Sequence, residues 1–212
     1  MFPLRDTVQN RKFPIITLGL IALNVFVFFL EITAPDQQSF ISTYALIPAD
    51  VNFSDFSSLT PFLTSQFLHA GFVHILINLW FLRIFGDNVE EKFGSLTFLF
   101  VYLLSGVLGG LAQYVFVPAA TVPMLGASGA VAGVLGAYLV FFPSNKIETL
   151  VPFGFFMSVV KIPASVMLVY WFVIQLFSGV GSIAVAQTGG VAFWAHVGGF
   201  VAGWFMAKLR PV

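Results

Sequence analysis

The chain contains no cysteine, and charged residues make up only 8% of it. The first absence excludes disulfides, thiolate catalysis and Cys-ligated metals, and leaves the redox compartment open. The second is more informative, because a soluble domain carries about 25% charged residues. With 58% hydrophobic residues over 212 positions, there is too little polar surface to cover a soluble globule. A cytosolic enzyme is thereby excluded. A charge excess is also missing. Nine Lys+Arg balance nine Asp+Glu, so no field gathers nucleic acid, and none is expected as a partner. No repeat and no second domain is visible. The 19 Gly and 11 Pro are scattered, unlike those of collagen or a low-complexity tract. What remains is an integral membrane protein.

Charge-free runs cover residues 13–30, 56–82, 93–145 and 162–207. A spanning helix needs about 20 apolar residues, so each of the last two runs is long enough for two spans. Breakers fall where turns are needed: Val117-Pro118 through Pro123, and Gln187-Thr188-Gly189-Gly190. The expectation is an all-α membrane protein of six transmembrane helices in one domain over residues 1–212. The spans are placed at about 14–34, 67–86, 95–117, 126–143, 163–185 and 191–208. Helix is the expected state because a lipid-exposed backbone must satisfy its own hydrogen bonds. The alternation of a barrel strand is lacking.

In that arrangement all nine basic residues lie on one side, and the other side holds Asp36, Asp50 and Asp55 with Glu31 nearby. Basic residues mark the cytoplasmic side, so both termini are expected there. The first apolar run is too long for a signal-peptide core, and no cleavage is expected. Residues 35–66 form the longest external segment, either a surface loop or one lying partly in the interface.

Polar side chains within spans are costly and ask for a reason. His74 and Asn78 are four apart and share a face of the second span. Ser128 lies in Gly126-Ala127-Ser128-Gly129 at the start of the fourth, and His196 in Ala195-His196-Val197-Gly198-Gly199 near the start of the sixth. Spans two, four and six run in the same direction, so these four residues share one layer beneath the outer surface. Gly129, Gly133 and Gly136 form a stripe on span four. Ala195, Gly199 and Gly203 form another on span six. Such faces let backbones approach closely in lipid, and packing them together would bring the hydroxyl near the imidazole.

Taken singly, each residue also has a structural reading. A lone Ser bonds its own helix, a lone His bridges helices, and a small-residue stripe is common in spans. His69, His74 and His196 are three candidate metal ligands, but no carboxylate accompanies them and no HExxH occurs, so no metal site is expected.

As an ordered set, these residues resemble the rhomboid family of intramembrane serine proteases, over roughly residues 60–208. The matching pieces are His69-Ala70-Gly71-Phe72-Val73-His74 with Asn78, then Phe85-Gly86 with Glu90 and Gly94, then the Ser128 and His196 motifs with Gly203. The resemblance implies that Ser128 is the nucleophile and His196 the general base. His74 and Asn78 would help hold the oxyanion, together with the Ser128 backbone N–H, and Glu90 would be a structural acid. It implies no cofactor. Substrates would be single-span proteins cut near the outer leaflet, with the lipid bilayer as the other partner. Oligomeric state is left unknown. Apart from the resemblance, the compact size and the lack of a transit peptide lead to the expectation of a prokaryotic plasma (inner) membrane, with the site facing the extracytoplasmic side.

Two positions depart from relatives. Ala132 stands where some carry a Tyr against the base, and residues 35–66 hold neither Trp nor Arg, where many have a Trp-Arg pair. With no acid at this depth, the pair would act as a dyad oriented by packing. Span five, with Trp171, Phe172 and Phe177, is a candidate lateral gate beside span two, and Gly189-Gly190 a candidate hinge. Two other readings stand beside the protease: a catalytically inactive rhomboid-like protein that binds or escorts membrane helices, and a small transporter.

Overall fold

The structure is a computed structural model that describes residues 2–7, 12–153, 156–183 and 190–210. Its elements, in order, are β1 (Phe2–Asp6), α1 (Ile15–Thr33), α2 (Gln37–Tyr44), the one-turn α3 (Pro61–Thr64), α4 (Phe72–Phe93), α5 (Ser95–Phe116), α6 (Ser128–Phe141), β2 (Lys146–Phe153), β3 (Phe156–Pro163), α7 (Ala164–Ser182) and α8 (Phe193–Lys208). The expected turn at 187–189, including Gly189 of the candidate hinge, lies outside the described residues.

The expectation of six spanning helices is corrected. Among the described residues, four helices are long and apolar enough to cross a membrane: α1, α4, α5 and α7. At about 1.5 Å per residue, α6 is about 21 Å long and α8 about 24 Å, both short of a hydrocarbon core of about 30 Å. A charge-free run measures apolarity, not helix length. The run 93–145 is divided among α5, the non-helical residues 117–127 and an α6 that starts two residues later and ends two earlier than the expected span. The second span also moves. It starts at Phe72, after Gly71, and runs on to Phe93 through Arg83, Asp87, Glu90 and Glu91.

Helix α6 is the axis of the bundle. Every residue from Gly129 to Tyr138 is buried, with α8, α5 and α4 packed around it. Its glycines explain the closeness. A Cβ on Gly199 would collide with the Gly129 carbonyl, one on Gly203 with the Gly133 carbonyl, and one on Gly136 with the Phe200 carbonyl. Side chains are absent at the crossing, so the helices meet backbone to backbone. At the far end of α6, Phe85, Phe98, Tyr102, Leu135 and Tyr138 fill the core.

Glu90 ties α1 to this core. Its carboxylate accepts from Ile16 N (3.0 Å), Thr17 N (2.8 Å), Thr17 Oγ1 (2.8 Å) and Ser95 Oγ (2.7 Å). The first N–H groups of a helix have no partner within it, and α1 has no side-chain cap of its own. An acid from α4 supplies that cap.

A three-stranded antiparallel sheet, absent from the helix-only expectation, closes the end of the bundle away from Ser128. Its order is β1-β2-β3. Ile147 and Thr149 are buried beneath β2, an inward alternation that suits a half-buried strand. Arg5 Nε donates to Glu148 Oε2 at 2.6 Å across β1 and β2. The Trp80 indole of α4 donates to the Pro3 carbonyl at 2.8 Å, and Tyr138 of α6 donates to Asp6 at 2.8 Å. Helices α1 to α6 separate β1 from β2 in the chain, so that pairing leaves no local mark in the sequence.

Candidate active site

Residues 34–66 back the segment that leads into α6. Two short helices and 3-10 turns place Leu46 opposite Met124, with Leu46 N–H to Met124 O at 2.9 Å and Met124 N–H to Leu46 O at 2.7 Å. Gly126 N–H then donates to Ser65 O at 2.9 Å. Gly126 itself has φ +127°, and a Cβ there would stand 2.8 Å from His74 Cε1 and Nε2 and 3.7 Å from Asn78 Nδ2. Glycine is required twice over, by backbone angle and by the imidazole pressed against it. The turn at Gly126 delivers Ser128 as the first residue of α6, a helix with no side-chain cap. The leading N–H groups of α6 are therefore orphans at the positive end of its dipole.

Helix α4 contributes two polar side chains from one face. The Ala70 N–H donates to His74 Nδ1 at 3.3 Å. A ring nitrogen that accepts carries no proton, so in the neutral ring Nε2 bears the hydrogen, on the side of Gly126. Asn78 Nδ2 donates to the His74 carbonyl at 3.1 Å and has a second hydrogen to offer.

Helix α8 brings His196. Its first turn is held by Trp194, stacked on Phe116 of α5 with centroids 3.7 Å apart, and by Ala195 N–H donating to Gln113 Oε1 at 3.3 Å. The imidazole stacks on Trp171 of α7 (5.8 Å between centroids, 29° between planes), and its Nδ1 lies 2.6 Å from Gln175 Oε1.

His74, Asn78, Ser128 and His196 line one cavity of about 510 Å³, together with Ser65, Gln66, Gly126, Gly129 and the chain at Val122–Leu125 and Gly190–Ala192. Its volume far exceeds the roughly 30 Å³ of a water molecule. A hydroxyl, an imidazole, uncapped backbone N–H groups and two side-chain donors thus face a common space. That set can supply a nucleophile, a base and an anion site.

The other candidates serve structure. Gly129, Gly133, Gly199 and Gly203 line the α6–α8 crossing, and Glu90 caps α1. His69 is fully buried, edge-on to His74 at 5.2 Å. Among the described residues no group of three or more His, Asp or Glu side chains is placed to hold a metal. Two residues escaped the sequence reading as site members. Gly126 stood in the Ser128 motif but was given no part of its own. Gln175 carries a usable signal, an amide inside an otherwise apolar helix.

The rhomboid domain model matches residues 57–210. Rhomboid protease GluP of Bacillus subtilis is 32% identical over 94% of this chain and 35% of its own length. RHOMBOID-like protein 6, mitochondrial, of Arabidopsis thaliana is 28% identical over 70% of the chain and 44% of its own length. Inactive RHOMBOID-like protein 8 of the same plant is 39% identical over 36% of the chain and 21% of its own length. The chain thus spans well under half the length of these curated relatives. With the family model covering most of its residues and a bacterial relative aligned along nearly all of it, the chain belongs to the rhomboid family.

Proposed function

We propose that the chain is an intramembrane serine endopeptidase that hydrolyses peptide bonds in or beside the transmembrane helices of single-span proteins. The observation that carries this reading is the convergence of Ser128, His196, His74 and Asn78 on one cavity. The Ser128 hydroxyl attacks the scissile carbonyl while its proton passes to His196 Nε2. The negative charge that develops on the carbonyl oxygen is held by backbone N–H at the start of α6, by Asn78 Nδ2 and by His74 Nε2–H. Each such donor is worth about 3 kcal/mol in the transition state. The intermediate collapses as His196 returns its proton to the leaving amine, which gives an acyl-enzyme. Water in the cavity, activated by the same imidazole, then releases the acid. No cofactor is needed.

A peptide bond in an intact helix is shielded by its own hydrogen bonds, so the substrate helix must unwind at the cavity. Helix-breaking and small residues near the membrane surface favour that. The site faces the extracytoplasmic side of a prokaryotic plasma membrane in this reading. Support comes from the basic residues Arg5, Lys92, Lys146 and Lys208, which sit at the sheet end, remote from the cavity.

The test is incubation of purified protein with a labelled single-span substrate. Wild type cleaves, and Ser128→Ala and His196→Ala do not while both remain folded. Full cleavage by either variant ends the proposal. A second reading, an inactive membrane-helix binder, draws on the likeness to a relative named as inactive. A fluorophosphonate probe separates the two, because only an activated Ser128 is labelled.

A further inference from the structure

No Asp or Glu occurs in α6, α7 or α8, and Ala132 faces the bundle with no polar group to offer. A base without an orienting partner would be free to present either ring nitrogen to Ser128. Yet Gln175, in the middle of apolar α7, is buried and places Oε1 2.6 Å from His196 Nδ1. One turn earlier, Trp171 lies along the imidazole face. Both grips come from one face of α7, since residues four apart are neighbours on a helix.

We propose that Gln175 is a positioning residue for His196: its amide oxygen accepts from Nδ1–H, so Nε2 is left unprotonated toward Ser128. An amide oxygen only accepts, so a contact this short requires the hydrogen on Nδ1. The tautomer of an imidazole follows the bond its other nitrogen makes. In a soluble triad an Asp does this work, and replacing it by Asn gives the wrong tautomer and a rate loss of about 10⁴. A neutral amide provides the orientation without burying a charge in lipid. This inference rests on the Ser128–His196 reading above.

The experiment compares wild type, Gln175→Leu and Gln175→Glu for kcat and KM on the single-span substrate. Folding is followed by thermal unfolding in detergent. The ¹⁵N resonances of labelled histidine are assigned by difference from His196→Ala. In wild type His196 is protonated at Nδ1. Gln175→Leu is expected to lose about 10- to 100-fold in kcat, less than a triad loses with its acid. Its KM holds within about twofold, and the His196 signals move toward a mixture of tautomers. Gln175→Glu keeps an acceptor oxygen and restores both the rate and the Nδ1–H signature. Wild-type kcat in Gln175→Leu overturns the proposal. So does a loss of rate with an unchanged tautomer, which would mark a packing role. So does a wild-type His196 that lacks a proton on Nδ1, the pattern expected if the amide nitrogen faces the ring. If Gln175→Leu fails to fold, the wild-type spectrum and Gln175→Glu decide alone. Cleavage surviving in Ser128→Ala would instead end the peptidase reading, while the histidine spectra would still report on Gln175.

Discussion

Gly203 of α8 rests on the carbonyl oxygen of Gly133 of α6, with no side chain between them. A valine at 203 has nowhere to go, because the obstacle is backbone at the centre of the bundle. Gly203→Val is expected to cost about 3 kcal/mol or more, at or beyond the upper end for overpacked sites. It should lower the midpoint of thermal unfolding in detergent and abolish cleavage. Gly181 on α7 has nothing within 4 Å of its Cβ position, so Gly181→Ala is the control. It should leave the midpoint unchanged or raise it slightly, since Ala is the better helix former.

Removing Glu90 uncouples α1 from the bundle. Glu90→Ala leaves Ile16 N, Thr17 N, Thr17 Oγ1 and Ser95 Oγ without their acceptor. Unsatisfied buried donors cost about 1–3 kcal/mol each, partly relieved by local rearrangement. A loss of about 3 kcal/mol is expected by reversible unfolding in mixed micelles. Glu90→Gln, which keeps one acceptor oxygen, should lose less. Equal losses in the two variants would mean that charge, not the number of accepted bonds, is what matters.

The turn at Gly126 should be as sensitive as the groups it supports. Gly126→Ala forces a Cβ against the His74 ring at a backbone angle alanine rarely adopts. The expected result is a kcat lower by about 10²–10³, comparable to loss of an oxyanion donor, with KM little changed. Asn78→Ala should fall in the same range. Steady-state kinetics with one substrate checks both, and unchanged kcat in both would remove α4 from the anion site.

Acid should loosen the N-terminal strand. The Arg5 guanidinium, hydrogen-bonded to Glu148, holds that carboxyl below its usual range. A group whose folded value is depressed stabilises above its unfolded value, and that contribution is lost as pH falls through the folded one. Docking of β1 on β2 should therefore be constant near neutrality and weaken below about pH 4. Hydrogen exchange of residues 2–6 measures it. Glu148→Gln should show at pH 7 the reduced protection, relative to the intrinsic rate at that pH, that wild type shows only in acid.

The four polar residues that line the cavity stood out before the fold was known. His74 and Asn78 stand four apart, and Ser128 and His196 are polar groups beside small-residue stripes, because lipid leaves a polar side chain few reasons to be there. Helix count was misjudged for the same reason the site was legible. Uniform apolarity hides where a helix stops, so the short α6 and α8 read as full spans. Gln175 was missed because an amide in a span has many bland explanations until its partner is known. The pairing of Phe2–Asp6 with Lys146–Phe153 was missed because the two are far apart in the chain and leave no local pattern; β2 and β3 are neighbours in the chain, and they were missed because the stretch between Lys146 and Lys161 was read only as a connection between spans.

What the residues determined alone was membership of a membrane, the neutrality of the chain and the set of polar groups that needed a purpose. Those follow from composition and from the free energy of placing polar atoms in hydrocarbon. Tertiary structure decided which of those groups share a cavity, which nitrogen of His74 carries its proton and what stands beside His196. These are questions of distance between segments, and distance is settled only when Gly129, Gly133, Gly199 and Gly203 let α6 and α8 close on each other.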